Sequence, residues 1–345
     1  MTLGQTARPD RKRPALLTLA SGYYPGAAVC GVFGVAAYAI SVRYGAPSML
    51  MALLLGLAGH FLYEFERIRP GIDWAARALL RAGVALLGLR IAFADVISLG
   101  FEPILLVLLA MLVTVLGGVG VARGLGLSRE FGALSSGAVA VCGVSAAIAI
   151  SSVLPRRPEE ERDLAVTVAG VATLSTLAMV LYPLGDLLLR LSDREMGVVL
   201  GGSIHDVAQV VGAGYSISAE AGDTATIVKL IRVSALLPVV IGIYAWIGRG
   251  GASASVEHGQ YLPPFLVAFF AFAALNSLNW APGPLLEAGV TASHWLLLIS
   301  IAAIGIKTDL RRIAEVGWRP IIALVCQTLI MLAVVMAGVL ALRAM

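Results

Sequence analysis

Apolar stretches long enough to cross a bilayer recur along this chain from residue 25 to residue 343. A helix of about 20 apolar residues spans the hydrocarbon core, and inside that core every backbone N–H and C=O must be satisfied by the protein itself. Patterned this way, the chain has one main solution, a bundle of membrane helices. Spans are predicted near 25–44, 46–63, 74–95, 103–122, 130–153, 163–187, 197–217, 226–247, 262–279, 291–307 and 320–342. Only 13% of the 345 residues are charged, against about a quarter in soluble domains. The expected fold is therefore an all-α polytopic membrane protein of ten or eleven spans. Residues 1–24 form a cytoplasmic N-terminal segment and 25–345 a single transmembrane domain.

The segment RPDRKR (8–13) begins basic, as a signal peptide does. The first span is long, lacks an obvious small-residue cleavage site and leads into further spans, so it reads as a retained helix. The net charge is +4, with basic residues at span ends, a pattern of membrane orientation and not of nucleic-acid binding. With the N-terminus inside, an eleven-span count puts Arg8, Arg67, Arg123, Arg190, Arg194, Arg249, Lys307, Arg311, Arg312 and Arg319 on the inner side. It puts the loop PRRPEEER (155–162) and the C-terminus outside.

Two internal echoes stand out. GLR (88–90) followed by GFEP (100–103) matches GIK (305–307) followed by GWRP (317–320), at a constant offset of 217. These are spans three and four against ten and eleven, an odd separation, so the copies face opposite ways. The two halves, containing 74–122 and 291–342, thus read as an inverted repeat, the architecture from which secondary transporters build alternating access. The second echo pairs SREFG (128–132) with DREMG (193–197), offset 65. On the eleven-span count the helices it opens run the same way, which does not fit an inverted pair.

Polar residues inside the spans are the candidate site. In GGSIHDVAQVVGAG (201–214), His205 and Gln209 are spaced i,i+4 on one helix face, with Asp206 beside them. An ionisable group at membrane depth needs a partner and normally faces a cavity. Gly201, Gly202, Gly212 and Gly214 allow a broken helix or a close backbone approach. A polar cluster that fastens two helices is the competing reading. In AVCGVSAA (140–147), Ser145 and the backbone amides around Cys142 and Gly143 suit an anion, while helix packing accounts for the small residues equally well. Cys142 as a nucleophile activated by His205 has no local support. Lys229 and Arg232, at i,i+3, present two cations together and call for anions: Asp206, Asp223, lipid phosphate or a substrate. Arg90 and Lys307 end the repeated helices, either attracting an anion or anchoring the helix ends. Asn276 and Asn279 close the ninth span, and His60, His258 and His294 lie near loops or helix ends.

Cys30, Cys142 and Cys326 lie far apart in apolar runs, without metal or disulfide spacing. The chain has no P-loop, no HExxH, no GxSxG and no acidic run for a cation-conducting ring. No catalytic residue, cofactor or metal is expected.

IHDVAQVVGAG (204–214), ATIVKLIRV (225–233), CGVSAA (142–147), GVALLGLR (83–90) and AAIGIK (302–307) together resemble the YeiH family, bacterial inner-membrane proteins that carry a sulfate-exporter label. The resemblance covers roughly 25–340, with one departure: SAAIA stands at 145–149 where SAIAA is expected, and Ser145 is kept. It implies a fold similar to bile-acid symporters and cation/proton antiporter-like transporters, with inverted repeats and broken helices crossing at mid-membrane. The expected function is secondary transport of a small anion, sulfate or an organosulfonate, coupled to protons or sodium. His205 and Asp206 would couple; Gln209, Ser145, Cys142 and Gly143 would ligand the substrate; Lys229 and Arg232 would supply positive potential. Partners are the anion, the coupling ion and the lipid bilayer, with a homo-oligomer left open. A passive channel and a membrane-embedded enzyme using Cys142 or His205 are the alternatives.

Overall fold

The computed structural model of the chain describes residues 15–247, 263–278, 280–309 and 317–344; Arg8, Arg249, His258, Asn279, Arg311 and Arg312 lie outside them. The described residues contain helices and no strand, so the chain is an all-α polytopic membrane protein. The first helices are α1 (Ala15–Tyr44), α2 (Ser48–Ala58), α3 (Arg69–Trp74), α4 (Leu80–Leu87), α5 (Phe93–Leu99) and α6 (Glu102–Gly124). Then come α7 (Arg129–Ala140), α8 (Val144–Ser151), α9 (Glu160–Leu189), α10 (Asp193–Ser203), α11 (Val207–Ile217), α12 (Ala219–Ser234) and α13 (Leu236–Ile247). The last three are α14 (Pro264–Ser277), α15 (Gly283–Lys307) and α16 (Trp318–Arg343). Six stretches are long and apolar enough to cross a membrane unaided: Gly22–Tyr44, Glu102–Gly124, Glu160–Gly185, Ala219–Ile247, Gly283–Lys307 and Trp318–Arg343. Others are compound; α3 and α4 join through a π-turn at Ala75–Leu79.

Two of the eleven predicted spans turn back instead of crossing. Residues 137 and 150 would stand about 20 Å apart on a straight helix, yet Gly137 of α7 packs against Ile150 of α8. At the base of this hairpin Arg157 reaches Glu130, Nη1 to Oε2 3.6 Å. The reversal is made at Val141–Gly143, where Gly143 has φ +66°, a conformation that L side chains rarely adopt. Residues 197 and 214 would stand about 25 Å apart on a straight helix, yet Gly197 of α10 and Gly214 of α11 both pack on Ala221. The second hairpin turns at Ile204–Asp206, both in extended backbone. Periodicity cannot distinguish a folded-back helix from a through-going one, because both halves carry the same 3.6-residue pattern.

The long α9 carries the chain from the base of the first hairpin to the base of the second, so the hairpins enter from opposite ends and meet tip to tip. That arrangement resolves the offset-65 echo. SREFG and DREMG open the inbound arms of two oppositely directed hairpins, and a serine caps each arm: Ser128 accepts from the Phe131 N–H at 3.1 Å and Ser192 forms a capping box with Glu195. The expected parallel course is thereby corrected. Loop 155–162 moves to the end bearing Arg123 and Arg129, and Arg190 and Arg194 move to the other. Since two reversals cancel, the C-terminus keeps its expected end: Arg343 donates to the Arg190 carbonyl at 3.3 Å.

Positions related by the offset of 217 also correspond locally in the structure. Gly100 and Gly317, equivalent positions, both have positive φ (+81° and +86°) ahead of α6 and α16. Thr114 on α6 donates to the Met331 sulfur on α16 at 3.1 Å. Those two residues are themselves 217 apart, 331 − 114, and equivalent residues of an inverted repeat meet where its axis passes.

Candidate functional site

The two hairpin tips meet around one turn of α12. Each tip ends an inbound arm whose last carbonyls have lost their helical partners, and two cations supply replacements. Arg232 donates from Nε to the Ala140 carbonyl (2.9 Å) and from Nη2 to Val139 (2.8 Å) in the first tip. Its Nη1 donates to Gly201 (2.9 Å) and Ile204 (2.7 Å) in the second. Lys229 bridges likewise, from Nζ to Val141 at 2.7 Å and to Ile204 at 3.0 Å. Both side chains have no exposed surface. They do not snorkel to headgroups: their hydrogen bonds go to helix C-terminal carbonyls, and Asp206, one expected counter-ion, lies within electrostatic reach of Lys229. Asp223, another expected counter-ion, instead pairs with Arg90 (Nε to Oδ2 3.0 Å) and accepts from the Tyr215 hydroxyl.

His205 and Gln209 do not share a helix face, because the chain reverses at His205. The imidazole sits in the turn, fully buried, with Nε2 2.9 Å from the Thr328 hydroxyl of α16 and Nδ1 without a hydrogen-bond partner. Asp206 caps α11: its Oδ1 accepts from the Ala208 N–H at 2.8 Å, while its own N–H donates to Ser175 of α9 at 3.0 Å. Gln209 is 4% exposed, its Nε2 3.5 Å from the Thr176 hydroxyl and its Oε1 without a partner. Ser175, Thr176 and Thr328 were missed by sequence reading, since nothing in a Ser/Thr-bearing span marks which turn will face the tips.

The first tip differs. Gly143 lies against the Cβ and carbonyl of His205, which brings the two tips together. Cys142 is buried. The helix that leaves this tip, α8, starts at Gly143 with no side-chain cap, and Ser145 on its first turn is exposed. Glycines 201, 202, 212 and 214 serve close packing, against Ala225, Val335, Met179 and Gly222 respectively.

Arg90 and Lys307 lie at opposite ends of the bundle, as an inverted repeat requires. Lys307 Nζ is 2.7 Å from Asp73 Oδ1, which ties α15 to α3. Asn276 is on the last turn of α14.

A family profile described as "Conserved hypothetical protein 698" matches residues 25–324. The chain belongs to this family, UPF0324, in keeping with the YeiH-type motifs. Over 336 residues it is 46% identical to a UPF0324 membrane protein of Rhizobium meliloti (strain 1021), covering 96% of this chain and 97% of the relative. It is 47% identical over 319 residues to the UPF0324 membrane protein TauZ of Paracoccus pantotrophus, covering 91% and 94%. With a UPF0324 membrane protein of Chlorobaculum tepidum the identity is 42% over 319 residues, covering 92% and 89%. These relatives carry membrane-protein names and no enzymatic one. No solved structure matches the chain.

Proposed function

We propose that this member of the family is a secondary transporter for a small anion, sulfate or an organosulfonate. It works by alternating access, with His205 and Asp206 coupling the cycle to protons or sodium. The observation that carries this reading is the meeting of two oppositely entering hairpins around Lys229 and Arg232. At such a tip the inbound arm presents carbonyls, with partial negative charge, and the outbound arm presents amides, with partial positive charge. Here the two cations occupy the carbonyls, so the amides dominate the local potential. Asp206 takes one amide of α11. The first turn of α8 has no side-chain cap, and the exposed Ser145 hydroxyl stands beside it. An anion would dock there, close to mid-membrane, where transporters of inverted-repeat design bind substrate.

His205 touches α16 through Thr328 and the first tip through Gly143, so a proton gained or lost at Nδ1 would be felt by both hairpins. Lys and Arg crowd the Arg129 end, including Arg67, Arg69, Arg123, Arg157 and Arg319. By the positive-inside rule that end, with the N-terminus, faces the cytoplasm of a bacterial inner membrane.

The test is thermal stability of the detergent-solubilised protein against a panel of anions, at two pH values and with and without sodium, followed by flux in proteoliposomes. The expected result is a rise in Tm with one class of anion, abolished in His205→Ala, and saturable flux of the same anion. Absence of any anion effect, with His205→Ala merely less stable, would sink the proposal in favour of helix fastening.

A further inference from the structure

We propose that the first turn of α11 and the facing turn of α9 form a binding site for a monovalent metal cation, sodium. Three side-chain oxygens belong to these two turns, those of Asp206, Gln209 and Thr176. The Thr176 hydroxyl donates to the Ala172 carbonyl at 3.0 Å, so toward Gln209 it can only accept. That directs the Gln209 amide nitrogen to Thr176 and leaves Oε1 buried without a partner. Asp206, the N-cap of the same turn, uses Oδ1 on the Ala208 N–H and has its second carboxylate oxygen left over. It is half-buried, which gives an ion a way in. The turn is pinned to α9 by the Asp206 N–H on Ser175.

The Lys229 ammonium lies within electrostatic reach of Asp206 but its hydrogen bonds go to backbone carbonyls, and the unpartnered Gln209 atom of this turn is an acceptor. Buried oxygen acceptors without donors are costly, and the ligand that satisfies them is a hard cation. A proton on Asp206 would leave Gln209 Oε1 unanswered. A single carboxylate with neutral oxygens suits one positive charge better than two, and among the described residues no group of three His, Cys, Asp or Glu side chains is placed to hold a metal ion. Asp206 and Gln209 both reach α9, through Ser175 and Thr176, so sodium would hold the second tip against that helix.

This inference deepens the transporter reading by naming its coupling ion, but sodium binding is measured separately from transport. In anion-controlled buffer of fixed ionic strength, Tm is recorded against sodium, potassium and choline as chlorides. Sodium is expected to raise Tm saturably where the other two do not. Gln209→Ala and the near-isosteric Thr176→Val are each expected to weaken the sodium midpoint about tenfold or more, the change that about one coordinating interaction makes. Thr176→Ser, which keeps the oxygen, is expected to hold the wild-type midpoint. Equal Tm in all three salts overturns the inference and leaves a water as the partner of Gln209. So does an unchanged sodium midpoint in Thr176→Val. If the anion panel shifts Tm in sodium-free buffer while sodium does nothing, the cation site alone falls and the transporter reading stands.

Discussion

The two hairpins share a plan and differ in their tips. Each opens with a serine cap and an Arg-Glu pair, runs eleven or twelve residues inward and reverses within three. The first turns on a glycine with φ +66°, sends out an uncapped helix of eight residues, and leaves Ser145 and Ile148 exposed on it. The second turns on His205 and Asp206, caps its own outbound helix, and wedges α11 between α12 and the α2 and α15 helices, with Gly212 beside Ile301. Its base is further held by the Arg90–Asp223–Tyr215 cluster. One tip sends out a helix with no side-chain cap, the other a helix capped by Asp206. The two copies thus share a backbone plan and differ in the side chains at their turns.

The comparison breaks first at its shared support. Arg232→Lys removes a planar fork that bridges both tips and strands buried carbonyls, so a loss of about 2–4 kcal/mol is expected. The measurement is Tm and monodispersity in detergent; wild-type behaviour would show that the tips do not depend on each other. Next comes Gly143→Ala, expected to cost about 1–3 kcal/mol because φ +66° suits only glycine. Gly120→Ala on the exposed face of α6, where a built Cβ meets nothing, should be neutral or mildly stabilising. Equal effects at the two glycines would remove the special role of the first turn.

A sharper contrast sets Asp206→Asn against Asp206→Ala. Asparagine still caps α11, so its Tm should stay near wild type, whereas alanine should cost about 1 kcal/mol; both should lose the sodium response. Ser145→Ala should leave Tm alone and weaken only the anion response. A sodium defect in Ser145→Ala, or an anion defect alone in Asp206→Asn, would reverse the assignment of tasks. The smallest effect is expected from Arg90→Ala, whose partly exposed ion pair is worth no more than about 1 kcal/mol. If Tm drops well beyond that, the second hairpin owes more to this cluster than to the packing of α11.

Much of the candidate site was legible in the chain. His205, Asp206, Lys229 and Arg232 lie at the meeting of the tips with Gln209 on the next turn, and they were visible because charged and polar groups are conspicuous in apolar runs. The direction of each was not visible. Lys229 and Arg232 called for anions by their charge alone. That they answer carbonyls depends on two helix ends arriving beside them from segments about 30 and 90 residues away. The i,i+4 pairing of His205 with Gln209 failed because a helix was assumed through a point where the chain reverses. Thr176, Ser175 and Thr328 carried no signal, since a hydroxyl bonded to its own helix looks the same whether or not it faces a site.

The sequence by itself determined that this chain lives in a membrane, which stretches enter the bilayer, and that the chain is internally repeated. Apolar length and the need to satisfy every backbone group in hydrocarbon leave no other solution. Only the tertiary structure decided that two of those stretches fold back, that they come from opposite ends, and which groups fill the gap between them. A half-helix returning to its own side satisfies hydrogen bonds and hydrophobicity as well as one that continues. The choice between them rests on long-range partners for a few broken carbonyls, and no local pattern encodes those.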